Sequence, residues 1–369
     1  MTFQFAQRIL LCLRYGIGDL VMELTALDAL RRAAPRAHIT ALGARPAIEL
    51  LENDARVDAV VSVHDFGFAH WSDWGSEEAR ERFRRWYRVG AFDWVLDPSH
   101  ATAGVGLVLW EEPYPVIRDA GQALQAEALR GGADGPGAVR HAVARGWGLL
   151  LDEAPPRLDL DVEAQCFARV WLAGARFEGR PVAALSPAAS SPLKRWPLRR
   201  FVAAGRYLAA RGWALAVLAG PGEEGLAQAI VDDLPAGSAA CFGTRHLKQV
   251  AALLSRCGLL LCNDTGLMHL SAAVGTPPVA IFGPTSPAIY APRSAFPVGG
   301  RDPECSCRRT DQFGPPECVA SGRCLRGARP CIEQVSVDEV VAALERALDS
   351  LQGANDDGGT RPQSTAEPG

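Results

Sequence analysis

Two short runs of unbroken apolar residues, Leu259–Cys262 and Val279–Phe282, flank a polar turn and a helix-forming stretch in LLLCNDTGLMHLSAAVGTPPVAIFGPTSP. A strand without polar alternation is buried on both faces, and two such strands joined through a helix run parallel. The segment predicts a strand over Leu259–Cys262, a turn over Asn263–Gly266, a helix over about Leu267–Val274 and a strand over Val279–Phe282. A sheet of this kind needs helices on both sides. Asp264 occupies the position expected of an N-cap and Gly275 that of a C-terminal stop. Such a turn aims free backbone N–H groups and the positive end of a helix dipole above the sheet, where an anion such as a diphosphate would sit. The same pattern also serves an ordinary βαβ crossover.

The pattern recurs along the chain. Arg8–Leu13 reads as a buried strand, followed by the glycine turn RYGIGD and a helix from about Asp19 to Ala33 with leucines 20, 24, 27 and 30 at helical spacing. A strand at His38–Leu42, a helix at Pro46–Glu52 and a strand at Val57–Val63 complete a β-α-β-α-β opening, the signature of a doubly wound parallel sheet. Gly16 and Gly18 stand without a third glycine, and ITALGAR ends without an acidic residue, so a dinucleotide fingerprint fails. Phe92–Asp97 predicts one more strand, and Asp152–Asp161 reads as a surface linker. A second α/β unit starts at Pro181–Leu185. It continues through a helix with Pro197 in its first turn, the strand Trp213–Leu218, a helix to about Asp233, Ala239–Phe242 and a helix over about Leu247–Arg256. Ser336, followed by Glu339, opens a capping-box helix to Leu351, and the tail from Gly353 is polar.

Composition limits the function classes. The 369 residues are 48% hydrophobic with a net charge of −4, enough for two cores and no general attraction to nucleic acid or an anionic membrane. No apolar run approaches the roughly 20 residues of a membrane span. The N-terminal MTFQFAQRILLCLRYG lacks the layout of a secretory signal, so a cytoplasmic location is expected. Cys12, Cys166, Cys241, Cys257 and Cys262 lie in apolar segments and are expected to be buried hydrophobes. Cys305, Cys307, Cys318, Cys324 and Cys331 match no paired C-x2-C pattern, so a stiff loop is favoured over a structural metal. Arg80, Arg82, Arg84, Arg85 and Arg88 interleave with Phe83, Trp86 and Tyr87. This stretch is either a solvated face paired with Glu77, Glu78 and Glu81 or a surface for an anionic or lipid-linked partner.

Two of the 38 basic residues are lysines, Lys194 and Lys248. Lys194 and the turn Asp264–Thr265–Gly266 form a cation-and-dipole cradle for phosphate, with His269 one turn into the helix. Glu223 or Glu224, past a strand and a glycine turn, is placed to accept from ribose hydroxyls or else to start a helix with favourable charge. Asp19 after Gly16 and Gly18 is a base or a cap, and a helix start would lower its pKa. The D-T-G triplet is also the water-activating motif of aspartic proteases. That reading fails because it needs two such loops in a β-rich fold.

RYGIGDLVMELTALDALRRAAPRAHIT, LKRWPLRRF, AGPGEEG and CNDTGLMHLSAAVGTPPVAIFGPTSP together resemble glycosyltransferase family 9, the ADP-heptose:lipopolysaccharide heptosyltransferases, along most of the chain. The resemblance implies an α/β GT-B fold, with two Rossmann-like doubly wound domains facing a central cleft, plus a cysteine-containing loop and a C-terminal helix. The expected division is an acceptor domain over 1–156, a linker over 157–180, a nucleotide-sugar domain over 181–351 and a disordered tail over 352–369. It implies inverting transfer of a heptose from a nucleotide-diphosphate donor to a lipopolysaccharide core or similar lipid-linked glycan, with contact to the inner membrane at most peripheral. No cofactor is implied beyond the nucleotide-sugar co-substrate. By motif, Asp19 resembles the catalytic base and Lys194 the phosphate contact. Gly18, Asp264, Thr265, Gly266 and His269, with Glu223 and Glu224, resemble the donor-binding set. Thr25 stands where the family has proline. A nucleotide-sugar-binding protein without transfer, and a GT-B nucleotide-sugar epimerase, are the alternatives.

Overall fold

The computed structural model describes residues 6–13, 16–70, 75–97, 116–118, 148–149, 151, 154–177, 179–243, 245–300, 317–325 and 330–356. The N-terminal half runs β1 (Arg8–Leu13), α1 (Ile17–Ala33), β2 (His38–Gly43), a 3-10 turn (Ala47–Leu51), β3 (Ala59–Ser62), a second 3-10 turn (Val63–Phe66), α2 (Glu77–Gly90), β4 (Trp94–Asp97) and β5 (Val116–Arg118). These strands form a parallel sheet in the order β3-β2-β1-β4-β5. Ile9 of β1 lies opposite Ile39 on one side and Trp94 on the other. The predicted helix over Pro46–Glu52 is instead the short 3-10 turn. Its Glu49 and Glu52 amides bond three residues back, to Pro46 and Glu49, because so short a segment cannot recover the cost of starting an α-helix.

The C-terminal half begins with α3 (Val162–Gly174), a helix the sequence reading did not anticipate. Asp161 caps it by accepting from the Ala164 amide at 2.7 Å. There follow β6 (Val182–Ser186), a 3-10 turn (Pro192–Lys194), α4 (Leu198–Ala210), β7 (Ala214–Leu218), α5 (Glu224–Asp232) and β8 (Ala239–Phe242). Then come α6 (Leu247–Leu254), β9 (Leu259–Asn263), α7 (Gly266–Ala273), β10 (Pro278–Phe282), α8 (Pro287–Tyr290) and β11 (Phe296–Gly299). Pro197 is the N-cap of α4 and not part of its first turn. The parallel sheet has the order β11-β10-β9-β6-β7-β8. Beyond it lie α9 (Glu317–Ser321), a 3-10 turn (Cys331–Gln334) and α10 (Val337–Asp356), which continues past the expected end at Leu351. The expected capping box is present: Ser336 N donates to Glu339 Oε2 at 2.8 Å, and Glu339 N donates to Ser336 Oγ at 3.2 Å.

Strand order reverses between β1 and β4 in the first sheet and between β6 and β9 in the second. Loops leaving the carboxyl ends of strands at such switch points splay apart and open a crevice. The segments carrying Asp19, Lys194 and Asp264 leave β1, β6 and β9 at these two points. One apolar cluster spans both halves, containing Leu24 and Leu27 of α1 together with Met268 and Leu270 of α7. The two crevices are thereby held against each other.

Two sequence expectations on side chains are resolved. On α2, Arg80 and Arg84 pair with Glu77, and Arg82 pairs with Glu78 while also donating to the Phe66 carbonyl, so the paired-face reading holds for these three. Phe83 and Tyr87 are buried beneath. Cys12, Cys257 and Cys262 are buried as expected, but Cys166 is exposed on the outer face of α3, and the Cys241 side chain lies outside the described residues. Among the described residues no helix is long and apolar enough to cross a membrane.

Candidate active site at the domain cleft

At the carboxyl end of β9 the chain leaves a fully buried strand through Asn263, whose side chain has no access to water. A buried amide must find partners. Asn263 donates to the Pro187 carbonyl at 2.8 Å and accepts from the Trp196 amide at 3.0 Å. These two bonds bracket the 3-10 turn that carries Lys194 and fix it beside β9. Trp196 is itself anchored, its indole N–H donating to the Val335 carbonyl at 2.9 Å. Sequence reading gave Asn263 no role. The available signal was a polar amide ending an otherwise apolar strand.

Lys194 Nζ lies 2.7 Å from Asp264 Oδ2, and the same oxygen accepts from Thr285 Oγ1 at 2.5 Å. Asp264 is therefore not the N-cap of α7, as the sequence suggested. Thr265 holds that position and supplies no side-chain cap bond. The carboxylate is drawn away from the helix by a partly buried ammonium, a stronger partner than a backbone amide. The consequence is an α7 N-terminus left open to an incoming group. Thr285, in the GPTSP stretch, is the second residue the sequence reading left without a role.

Across the cleft, α1 starts at the N-cap Gly16, which has no side chain to offer, and the Asp19 carboxylate takes the Gly16 and Asp19 amides instead. The two helix starts touch. A β-carbon on Gly18 would lie 2.8 Å from His269 Cδ2, and one on Gly266 would lie 2.7 Å from Ile17 Cβ and 2.9 Å from the Gly18 nitrogen. Only residues without side chains let the two backbones approach this closely.

The charges converge here too. Burial raises the Asp19 carboxyl above its ordinary 3.8, against the opposing pull of the Gly16 amide and of Lys194. A helix start alone was expected to lower it. Packing of the second domain against α1 strips part of the water that the expectation left in place, with Asp19 half-buried. His269, also buried, is depressed from 6.5 to about 4, chiefly by loss of solvent, so the imidazole is neutral at ordinary pH. Both Lys194 and Asp264 act on Asp19 and on His269. The four groups thus form one electrostatic cluster fed by two domains.

Beside the cluster lies a cavity of about 300 Å³ walled by Ile17 and Pro46 from the first domain and by Glu223, Phe242, Leu247 and Thr265 from the second. Its volume and largely apolar wall suit a nucleoside-sized ligand. Glu223 reaches it while accepting from the Gly220 amide at 3.0 Å. Glu224 is exposed and does not line it, which separates two residues the sequence left equivalent. A larger concavity of about 1030 Å³ lies around Trp213, Arg256 and Leu348, at the amino ends of the strands. The titratable cluster is not there, and α/β sheets do not place ligands at that end.

The cysteine stretch contributes less. Cys305 and Cys307 lie outside the described residues, while Cys318 packs on Leu193 behind the lysine turn with Cys324 alongside. Among the described residues no group of three or more His, Cys, Asp or Glu side chains could hold a metal ion.

Residues 138–309 match the family profile "Glycosyltransferase family 9 (heptosyltransferase)". The chain is 33% identical over 120 residues to lipooligosaccharide heptosyltransferase 2 of Haemophilus influenzae, a match covering 31% of this chain and 35% of that protein. The chain thus spans about a third of the length of that curated relative. The fold is similar to a glycosyl transferase family 9 structure from Veillonella parvula, with a TM-score of 0.73, 20% identity and coverage of 93% of this chain and 98% of the other. It is also similar to an E. coli heptosyltransferase solved with ADP, with a TM-score of 0.59, 19% identity and coverage of 92% and 100%. The two-domain GT-B architecture expected from the sequence is the one observed.

Proposed function

Because the chain belongs to glycosyltransferase family 9, we propose that it transfers a heptose from ADP-heptose, with inversion, to a lipopolysaccharide-core or similar lipid-linked glycan. The observation that carries this reading is the meeting of Asp19 from one domain with Lys194, Asp264 and His269 from the other beside the cavity. The nucleoside occupies the cavity, with Glu223 accepting from ribose hydroxyls. The diphosphate lies over the open start of α7, where free amides and the helix dipole favour an anion. Lys194, already held by Asp264, has further N–H donors for its oxygens. The ADP identity draws support from the ADP carried by the E. coli neighbour.

In the transfer step the acceptor hydroxyl attacks the anomeric carbon from the face opposite the diphosphate, forming the new C–O bond as the old one breaks. Asp19 takes the hydroxyl proton. Its raised pKa improves it as a base over an ordinary carboxylate, and the proton becomes acidic only as the bond forms. Charge building on the leaving diphosphate is met by Lys194 and the α7 amides, groups already in place before reaction. A single displacement inverts the anomeric centre.

The test is incubation with ADP-heptose, with and without a heptose-deficient core acceptor, reading ADP release and acceptor mass. Acceptor-dependent ADP release with a heptose mass increment is expected. Release of free sugar without acceptor would instead indicate the epimerase reading, and ADP-heptose binding without release the binding-only reading.

A further inference from the structure

The chain's other lysine sits on the far side of the same cavity. Lys248 lies in the first turn of α6 and is 2% exposed. A helix start repels a cation and burial strips its water, so both local effects oppose an ammonium there. It is compensated from across the domain boundary. Lys248 Nζ donates to the backbone carbonyl of Glu52, the residue closing the 3-10 turn Ala47–Leu51, and lies 3.7 Å from Asp161 Oδ2 at the start of α3.

His246, the N-cap of α6, makes a second bond across the same seam. Its Nδ1 accepts from the Lys248 amide at 3.3 Å, which leaves the ring proton on Nε2, and Nε2–H donates to Glu52 Oε2 at 3.1 Å. Glu49 Oε2 lies 3.7 Å from the same nitrogen. Neither Lys248 nor His246 lines the cavity. Their immediate neighbours do: Pro46, just before the 3-10 turn, and Leu247 and Val250 on α6. The seam therefore joins the two walls of the cavity directly.

We propose that Lys248 and His246 are positioning residues that latch the 3-10 turn Ala47–Leu51 to α6 and so set the width of the nucleotide cavity. This rests on the reading of that cavity as the donor site. A cation regains its hydration when the seam opens, so the latch can release product. Lysine suits the slot because its charge is compact, whereas a guanidinium demands a planar fork of acceptors.

The test compares Lys248→Met, His246→Ala and the wild-type protein. ADP affinity is read by calorimetry, kcat and donor KM by ADP release, and the radius of gyration without nucleotide by small-angle scattering. Lys248→Met is expected to weaken ADP about tenfold and raise donor KM in step, with kcat at saturating donor within about twofold of wild type. Its nucleotide-free radius of gyration exceeds wild type and returns to the wild-type value at saturating ADP. His246→Ala, at a half-exposed position that tolerates truncation, shows the same pattern at about threefold and carries the test should Lys248→Met not fold. Unchanged ADP affinity and radius of gyration in the folded variants overturn the latch, as does a fall in kcat with KM unchanged. If wild type neither binds ADP nor releases it, the donor-site reading fails, while expansion of the nucleotide-free variants still reports the latch.

Discussion

Lys194 and Lys248 are both withdrawn from water and both lie close to a carboxylate, yet they occupy different electrostatic settings. Lys194 stands at the open end of the cleft, its partner Asp264 belongs to its own domain, and its side chain keeps 17% exposure. Lys248 stands at the closed seam, its partners belong to the other domain and to the α3 start, and its ammonium is directed to a carbonyl. A cation paired within one domain remains in place when the cleft opens and can meet an incoming anion. A cation paired across the boundary is committed to holding the two halves together. What separates a binding group from a latch is therefore which side of the cleft supplies its partner.

The sharpest way to break this comparison is to remove the group facing Lys194 across the cleft. Asp19→Asn is expected to lower turnover by about 10²–10⁴-fold, the usual contribution of a positioned base, with ADP affinity kept. Loss of ADP affinity instead, in a calorimetric titration, would move Asp19 from chemistry to binding. The acid limb of kcat/KM should lie above the ordinary carboxylate value of 3.8, because activity is lost as the raised Asp19 group gains its proton.

His269 gives the next largest effect, on stability. Its folded pKa of about 4 lies below the ordinary 6.5, so the unfolded chain binds the proton more readily. Its contribution is complete above pH 6.5 and is lost as pH falls towards 4, by up to about 3 kcal/mol. Denaturant titrations across that window should show this slope flattened in His269→Gln; an equal slope would locate the acid sensitivity elsewhere.

Lys194→Ala should weaken ADP and slow turnover together by about 10–100-fold, the equivalent of about 1.5–3 kcal/mol for a charge-assisted bond. It should also move the acid limb upward, since Lys194 holds Asp19 down. An effect confined to KM with no shift in the limb would sever the link across the cleft. Gly266→Ala, whose β-carbon would meet Ile17 and the Gly18 nitrogen, should cost about 1–3 kcal/mol of stability by overpacking. A neutral melting temperature would mean that the two helix starts are not pressed together in solution.

Much of this architecture is readable along the chain. β1 and β8 have the boundaries their apolar runs predict, and Gly275, at φ +83°, ends α7 as a stop should. Strand and helix periodicity are local properties, set by alternation of apolar and polar residues over a single element. Failures cluster where the deciding partner is distant in sequence. The neighbours of Asp264 suit a cap, whereas Lys194 and Thr285 claim its carboxylate. The local pattern of Pro46–Glu52 predicts an α-helix, whereas the segment is a tight turn whose closing carbonyl, that of Glu52, receives Lys248. Asp19 was expected to have a lowered pKa, whereas burial beneath a second domain raises it.

The sequence by itself determined two parallel α/β units, the open glycine turns at their helix starts, and a short set of charged residues belonging to loops at the strand ends. It did so because backbone preference, hydrophobic period and glycine freedom act over a few residues at a time. Only the tertiary structure decided which charge meets which, that Glu223 and not Glu224 borders the cavity, and that one lysine faces the cleft while the other closes its seam. Those outcomes depend on Coulomb interactions and desolvation between groups up to about 250 residues apart, terms that exist only once the two domains have met.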